Sequence, residues 1–158
     1  MPILPPTPAD LTAVLAHLHE TPERLAAAAA PHSPARLSER PGPKGWSAAE
    51  HLAHLRGCDL VWTETLYAML AEPEPALPLF SPRDWAARLK FAQRPFAEVL
   101  AALAARRVEL LAVLTPLTLD QWQRGADLQG RRHTVFSQAR RLALHEREHC
   151  DQVEGLLA

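Results

Sequence analysis

The sequence predicts an all-α protein: a four-helix bundle with short accessory helices, formed as a single domain by residues 1–158. Apolar residues recur at helical spacing in four long stretches, and no stretch alternates at period two with β-branched enrichment. The chain has only 6 glycines, and most of its 15 prolines fall outside the long helical stretches, where they would separate helices. A chain of 158 residues with 47% hydrophobic residues is the size of one compact domain.

The first long helix is predicted over residues 9–30, with a kink or restart at Thr21-Pro22 because proline cannot donate a backbone hydrogen bond. The segment 31–45 is rich in proline and glycine, which indicates a connection with a short turn near Pro34.

The second long helix is predicted to begin sharply at residue 47. Ser47 and Glu50 have the spacing of a capping box, and Trp46 is the hydrophobic residue just before the cap. Helical periodicity then continues to about Leu70.

The middle of the chain predicts one loop, one short helix and one long helix. Four prolines make 72–82 a loop, and Ser81-Pro82 begins a short helix that extends to Phe91. After a break at Pro95, the apolar spacing over 96–114 predicts the third long helix.

The last third of the chain predicts a helical turn, a loop and the fourth long helix. Residues 118–123 fit one or two helical turns, and the following polar segment contains Gly125 and Gly130. Thr134 is the expected N-cap of the last helix.

That last helix carries a pair of histidines, His145 and His149, in the sequence HEREH. Residues four apart lie on one face of a helix, so both imidazoles can reach one ion at about 2.0–2.1 Å. The alternative is a pair of solvated surface histidines. HEREH also fits the zincin pattern H-E-x-x-H, but the further ligand that zincins place downstream is missing, since Gln152 and Gly155 occupy the positions of its glycine and histidine. We therefore expect a third ligand upstream.

Composition argues against several classes of partner. The net charge is −1 and the basic residues are scattered, so the sequence has no cluster of positive charge that would bind nucleic acid or an anionic membrane. No window approaches the roughly 18 apolar residues of a membrane span. Two cysteines and an N-terminus without a signal-peptide pattern predict a cytoplasmic, reduced protein.

The second long helix offers two candidates for the third ligand, His51 and His54. Its apolar face, defined by Leu55 and Trp62, is consistent with either, so spacing alone leaves the choice open.

Two segments resemble one family. Residues 45–55 are similar to the W-S-x-x-E-x-x-x-H-L motif of DinB/YfiT-like metalloenzymes, and residues 143–153 resemble that family's closing H-x-x-x-H-x-x-Q motif. The order of the intervening elements also fits, so the resemblance extends from Leu11 to Leu156.

The resemblance implies a four-helix bundle that binds a divalent metal ion, commonly nickel or zinc, through His54, His145 and His149. It also implies a homodimer as the expected assembly and a small-molecule substrate, since some relatives are transferases or isomerases that use a low-molecular-weight thiol. Three ligands on one side of an ion leave positions open for thiol or water. Metal-dependent thiol transfer is thus our first expectation. The alternatives are metal-dependent hydrolysis and a metal-binding stress or accessory protein without turnover.

No residue is assigned a catalytic role from the sequence. Glu50 matches the motif's glutamate, but a capping box explains it better. Gln152 matches the motif's glutamine and could orient a ligand or water. Glu146 and Glu148 are expected to be solvated. Cys58 is expected to be a small buried apolar residue rather than a fourth metal ligand.

Overall fold

A computed structural model of the chain describes residues 5–77, 80–128 and 130–158. Helices dominate the described residues, and one short hairpin precedes the last helix. In chain order the elements are α1 Pro8–Ala29, α2 Pro34–Ser38, α3 Ala48–Ala71, α4 Pro82–Arg88, a 3₁₀ turn Phe91–Gln93, α5 Phe96–Leu114, α6 Leu119–Gln123, β1 Gly125–Leu128, β2 Arg131–Thr134 and α7 Val135–Leu157.

The four long helices α1, α3, α5 and α7 form the predicted bundle. Helix α1 packs against α5 and α7, and α3 packs against the same two helices. The first two long helices therefore occupy opposite corners of the bundle, although they follow one another in the chain. This order brings α3 and α7, the two helices that carry the histidine motifs, side by side.

The N-terminal boundaries of these helices follow from side-chain caps. Ser47 accepts a hydrogen bond from the backbone of Glu50, and the Glu50 carboxylate accepts one from the backbone of Ser47, which confirms the predicted capping box. Arg40 also pairs with Glu50. Thr134 caps α7 as predicted, with Ser137 as its reciprocal partner.

Helix α1 continues through Pro22 without a restart. Pro22 has no N–H for the carbonyl of Leu18, four residues earlier, and the Nη1 of Arg107 in α5 donates to that carbonyl at 2.9 Å. The Thr21 hydroxyl donates to the carbonyl of His17 at 3.0 Å. A residue from a neighbouring helix thus satisfies the acceptor that the proline leaves free.

A buried polar layer separates two apolar clusters in the core. One cluster contains Leu25, Leu55, Leu103 and Val153, and the other contains Leu18, Leu66, Leu110 and Leu142. Between them each long helix contributes buried polar side chains, which are Thr21, Asp59, Thr63, Arg107 and Glu146.

An ion pair forms the centre of this layer. Both terminal nitrogens of Arg107 donate to the carboxylate oxygens of Glu146 at 2.6 Å. Asp59 accepts from Arg56 at 2.7 Å and from Arg106 at 3.0 Å. Because buried charges are costly unless they are paired, the layer fixes the four helices relative to one another.

The absence of strands was a wrong expectation. Strands β1 and β2 form an antiparallel hairpin in which Gly125 pairs with Thr134 and Leu128 pairs with Arg131. Each strand has only four residues, and β2 consists of the polar residues Arg131–Thr134, so the hairpin gives no extended alternating pattern in the sequence. Its turn uses Gly130 at a φ of +74°, a conformation that glycine adopts readily.

The predicted short helix before α5 is also shorter than expected. Helix α4 ends at Arg88, and Phe91 begins a separate 3₁₀ turn after Lys90, whose φ is +53°. Among the described residues, no helix has the length and apolarity that a bilayer span needs.

Candidate metal centre

Four histidines meet where α3 packs against α7. His51 and His54 lie on the first two turns of α3, and His145 and His149 lie in the middle of α7. The motif pairs are 91 or more residues apart in the chain, and the adjacency of the two helices brings them together.

The tightest part of the cluster joins His54, His145 and Cys58. The Nε2 atoms of the two histidines are 3.0 Å apart, and the Sγ of Cys58 lies 3.5 Å from one and 3.6 Å from the other. Two nitrogens that each bind one ion at about 2.0–2.1 Å with a right angle between them would be about 2.9 Å apart. The donor set of this group, two imidazoles and a thiol within 4.8 Å of one another, therefore suits a divalent transition metal.

His149 lies beside this group, and His51 lies behind His149. The His149 ring centroid is 4.6 Å from that of His145 and 5.0 Å from that of His54. Its Nδ1, however, lies 2.8 Å from the Nδ1 of His51. The structure thus places the His149 ring beside the other two expected ligands, but the donor atoms that lie within 4.8 Å of one another are those of His54, Cys58 and His145. His51, which the family motif leaves out, contacts His149.

The imidazoles of the cluster are held in the neutral form that a metal ligand needs. Burial, reinforced by the neighbouring imidazoles, lowers the pKa of His54 to about 4 and that of His149 to about 3. Burial also lowers the pKa of His51 and of His145. Their nitrogen lone pairs are therefore available near neutral pH.

Two tryptophans enclose the histidines. The Trp46 ring stacks on His149 with centroids 6.1 Å apart, and its centroid lies 5.2 Å from that of His54. The Trp62 ring lies 5.2 Å from the ring of His145. Both indoles are only partly buried, whereas Trp122 is a core residue at 1% exposure. Trp122 therefore belongs to the core, while Trp46 and Trp62 pack against the histidine rings.

The glutamate of HEREH is committed to the core. Both oxygens of Glu146 accept hydrogen bonds from Arg107, and the side chain is fully buried. The expectation that Glu146 is solvated was wrong, because the periodicity of α7 does not reveal its partner in α5. Glu148 is exposed as expected. The structure therefore contradicts a zincin-like base role for Glu146.

Cys58 and Gln152 flank the cluster. Cys58 is 1% exposed, and burial raises the pKa of its thiol to about 12. Gln152 is exposed, and its side chain weakly opposes the lowering of the pKa of the His149 imidazole.

A cavity of about 800 Å³ lies next to the cluster. Trp62 belongs both to its wall and to the packing around His145. Strand β2 and the first half of α7 contribute the polar lining residues Arg131, His133, Gln138 and Arg141, and α3 contributes Thr65.

Comparisons with known proteins agree with this architecture. The sequence profile of the DinB superfamily matches residues 17–153. Among solved structures, the chain is similar to YfiT from Bacillus subtilis, described as a probable metal-dependent hydrolase with an unusual four-helix bundle topology. That similarity has a TM-score of 0.87 at 19% sequence identity and covers 99% of this chain and 90% of YfiT. No curated protein matches the chain. With more than half of its length matched by the family profile, the chain belongs to the DinB superfamily.

Proposed function

We propose that this protein is a metal-dependent enzyme in which His54, His145 and His149 bind one divalent ion, nickel or zinc. The observation that carries the proposal is the convergence of two imidazole nitrogens, one from each motif helix, at 3.0 Å. Imidazole suits both metals, and neutral imidazoles bind without the loss of a proton.

His149 is a better third ligand than Cys58, although the thiol is close. The family motif places a histidine at the position of His149, and a neutral imidazole binds a metal ion without losing a proton, whereas a buried thiol must lose one. Binding by His149 would require its ring to turn away from His51, which its Nδ1 contacts in this structure. Cys58 then serves as a buried neighbour that donates a hydrogen bond to an imidazole in the metal-free protein.

The surrounding side chains prepare the site for a small-molecule reaction. A divalent ion here would act as a Lewis acid that lowers the pKa of a thiol or a water. Trp46 and Trp62 pack against the rings of His149 and His145 and help to hold them in place. The adjacent cavity is large enough for a small substrate.

The first reaction that we propose is transfer of a low-molecular-weight thiol to a small electrophile. The thiol releases its proton to solvent, the thiolate sulfur forms a bond to the electrophilic carbon, and the leaving group departs with the electrons of the bond that breaks. This choice rests on the similarity to thiol-dependent members of the family. Hydrolysis is the second candidate, and the structural likeness to YfiT, a probable metal-dependent hydrolase, favours it.

Metal content is the first test of the ligand set. Purified His54→Ala, His145→Ala and His149→Ala should each lose most bound metal when measured by elemental mass spectrometry, because removal of a direct ligand removes most of the affinity. His51→Ala and Cys58→Ser should retain it, and His19→Ala, an exposed histidine on α1, is the matched control. Equal losses in His51→Ala and His54→Ala would contradict this ligand set.

A reaction panel is the second test. Metal-loaded and chelated protein would be incubated with bacillithiol, mycothiol or glutathione and a small electrophile, and separately with ester and amide substrates. Thiol conjugation that requires both metal and His145 supports transfer. Metal-dependent hydrolysis without a thiol would replace it by the second candidate, and metal binding with neither activity would contradict an enzymatic role.

A further inference from the structure

The cavity beside the histidine cluster has a basic wall. Among its described lining residues, the ionisable side chains are Arg131, His133 and Arg141, and no lining residue is acidic. In the described part of the chain, neither arginine forms an ion pair with a carboxylate. These guanidinium groups are therefore available for an anion from solution.

Packing directs one of these charges toward the metal centre. The guanidinium of Arg141 lies 4.6 Å from the ring centroid of Trp62. The same indole also packs beside His145, with 5.2 Å between the two ring centroids. The cation–π contact reduces the freedom of the arginine side chain, so less entropy is lost when it binds an anion.

An unpaired amide lies in the same wall. Gln138 is 2% exposed, and its side-chain nitrogen has no hydrogen-bond partner among the described residues. A buried donor without a partner costs stability, and an acceptor in the cavity would relieve that cost. Gln138 also lies in the first turns of α7, where the helix dipole favours negative charge.

His133 lies close to both arginines. Burial, together with the positive charges of Arg141 and Arg131, lowers the pKa of His133. Its imidazole is therefore neutral near pH 7, and it can donate or accept a hydrogen bond without adding to the charge of the cavity.

We propose that this cavity binds the carboxylate group of an anionic small molecule, held by Arg131, Arg141 and the amide of Gln138. The inference rests on the proposed function only for the identity of that molecule as the substrate. A carboxylate matches the fork of a guanidinium and can accept a further bond from an amide. The rest of the molecule would extend past Trp62 toward the histidines.

Binding can be measured without metal or turnover. The metal-free protein would be titrated with succinate and, separately, with its neutral analogue succinamide at constant ionic strength, while ¹H–¹⁵N NMR follows the side-chain amide of Gln138. Succinate should shift that signal and bind at least about fivefold more tightly than succinamide, because charge-assisted hydrogen bonds are stronger than neutral ones. Equal affinities, or shifts that avoid the cavity, would overturn the proposal.

Substitutions separate a built site from general attraction to positive charge. Arg141→Gln should weaken succinate binding by about tenfold, as expected for one lost charge-assisted contact. Arg140→Gln is the matched control, since Arg140 is the exposed neighbour in the sequence and is not among the lining residues of the cavity, and it should change affinity less than twofold. Equal effects of the two variants would refute a specific site.

The His54→Ala variant distinguishes this inference from the metal proposal. It should bind succinate with unchanged affinity even where it has lost its metal. If His54→Ala keeps its metal, the ligand assignment fails while the cavity result stands. If wild type and His54→Ala both fail to bind succinate, the cavity proposal fails whatever the metal content.

Discussion

The buried pair between Glu146 and Arg107 makes a quantitative prediction that separates a structural role from a catalytic one. Glu146 is 0% exposed and Arg107 is 2% exposed, and two hydrogen bonds of 2.6 Å join them. Glu146→Gln keeps the shape but leaves the guanidinium with Asp59, at 3.8 Å, as its nearest remaining carboxylate. Breaking a buried pair in this way costs about 3–5 kcal/mol.

We expect the lower end of that range, about 3 kcal/mol, because the glutamine oxygen still accepts one hydrogen bond. For a chain of this size, that loss corresponds to a decrease in melting temperature of about 6–12 °C. Urea unfolding of the metal-free protein, followed by circular dichroism, measures the free energy directly. The control is Glu98→Gln in an exposed pair with Arg94 at 3.6 Å, which should change stability by less than about 1 kcal/mol.

A double variant tests whether the loss of stability comes from the unpaired buried charge. Replacing both partners, as in Arg107→Met with Glu146→Leu, should destabilise the protein less than Glu146→Gln does, since no uncompensated charge remains buried. If Glu146→Gln leaves the unfolding free energy unchanged but abolishes activity, the assignment of Glu146 to the core is wrong and a zincin-like base role returns.

Three further predictions concern the cluster, the helix contacts and the assembly. Because the pKa of His54, about 4, and of His149, about 3, lie below the unfolded value of 6.5, unfolding takes up protons in acid. Metal-free protein should therefore lose stability as pH falls from 6.5 toward 4, and urea midpoints that stay constant over this range would contradict the lowered pKa values. Gly57→Ala should destabilise the protein by about 1–3 kcal/mol in urea unfolding, since its Cβ would collide with the carbonyl oxygen of Pro82, and an unchanged midpoint would show that α4 can shift. Homodimer formation stays a prediction, which sedimentation equilibrium tests and a monomer mass at micromolar concentration would refute.

The sequence predicts the helices well because their signals are local. Ser47, Glu50 and Thr134 act within one turn of the helix that they begin, so their roles are readable from spacing. The hairpin at 125–134 was missed because each strand has only four residues, which is too short for a period-two pattern to stand out. The N–H of Val135 donates to the carbonyl of Arg124 at 2.9 Å and joins the two ends of the hairpin.

The site is predictable only as far as its residues share an element. The spacing of His145 and His149 on one helix is enough to predict them as a pair of metal ligands. The burial of Glu146 depends on Arg107, 39 residues away in the chain, and the contact of His51 with His149 depends on the packing of α3 on α7. No single-helix pattern contains such information.

The hydrogen bond from Arg107 to the carbonyl of Leu18, which Pro22 leaves free, fixes the position of α5 along α1. If α5 slid along α1 by one residue, about 1.5 Å, Arg107 would lose this acceptor and strain its bonds to Glu146 in α7. Since Glu146 lies between His145 and His149 in α7, the contacts of Arg107 also fix the position of both histidines along the bundle axis. Pro22 lies in α1, which contributes no histidine to the cluster, yet it helps to position the histidines of α7 in the metal-free protein.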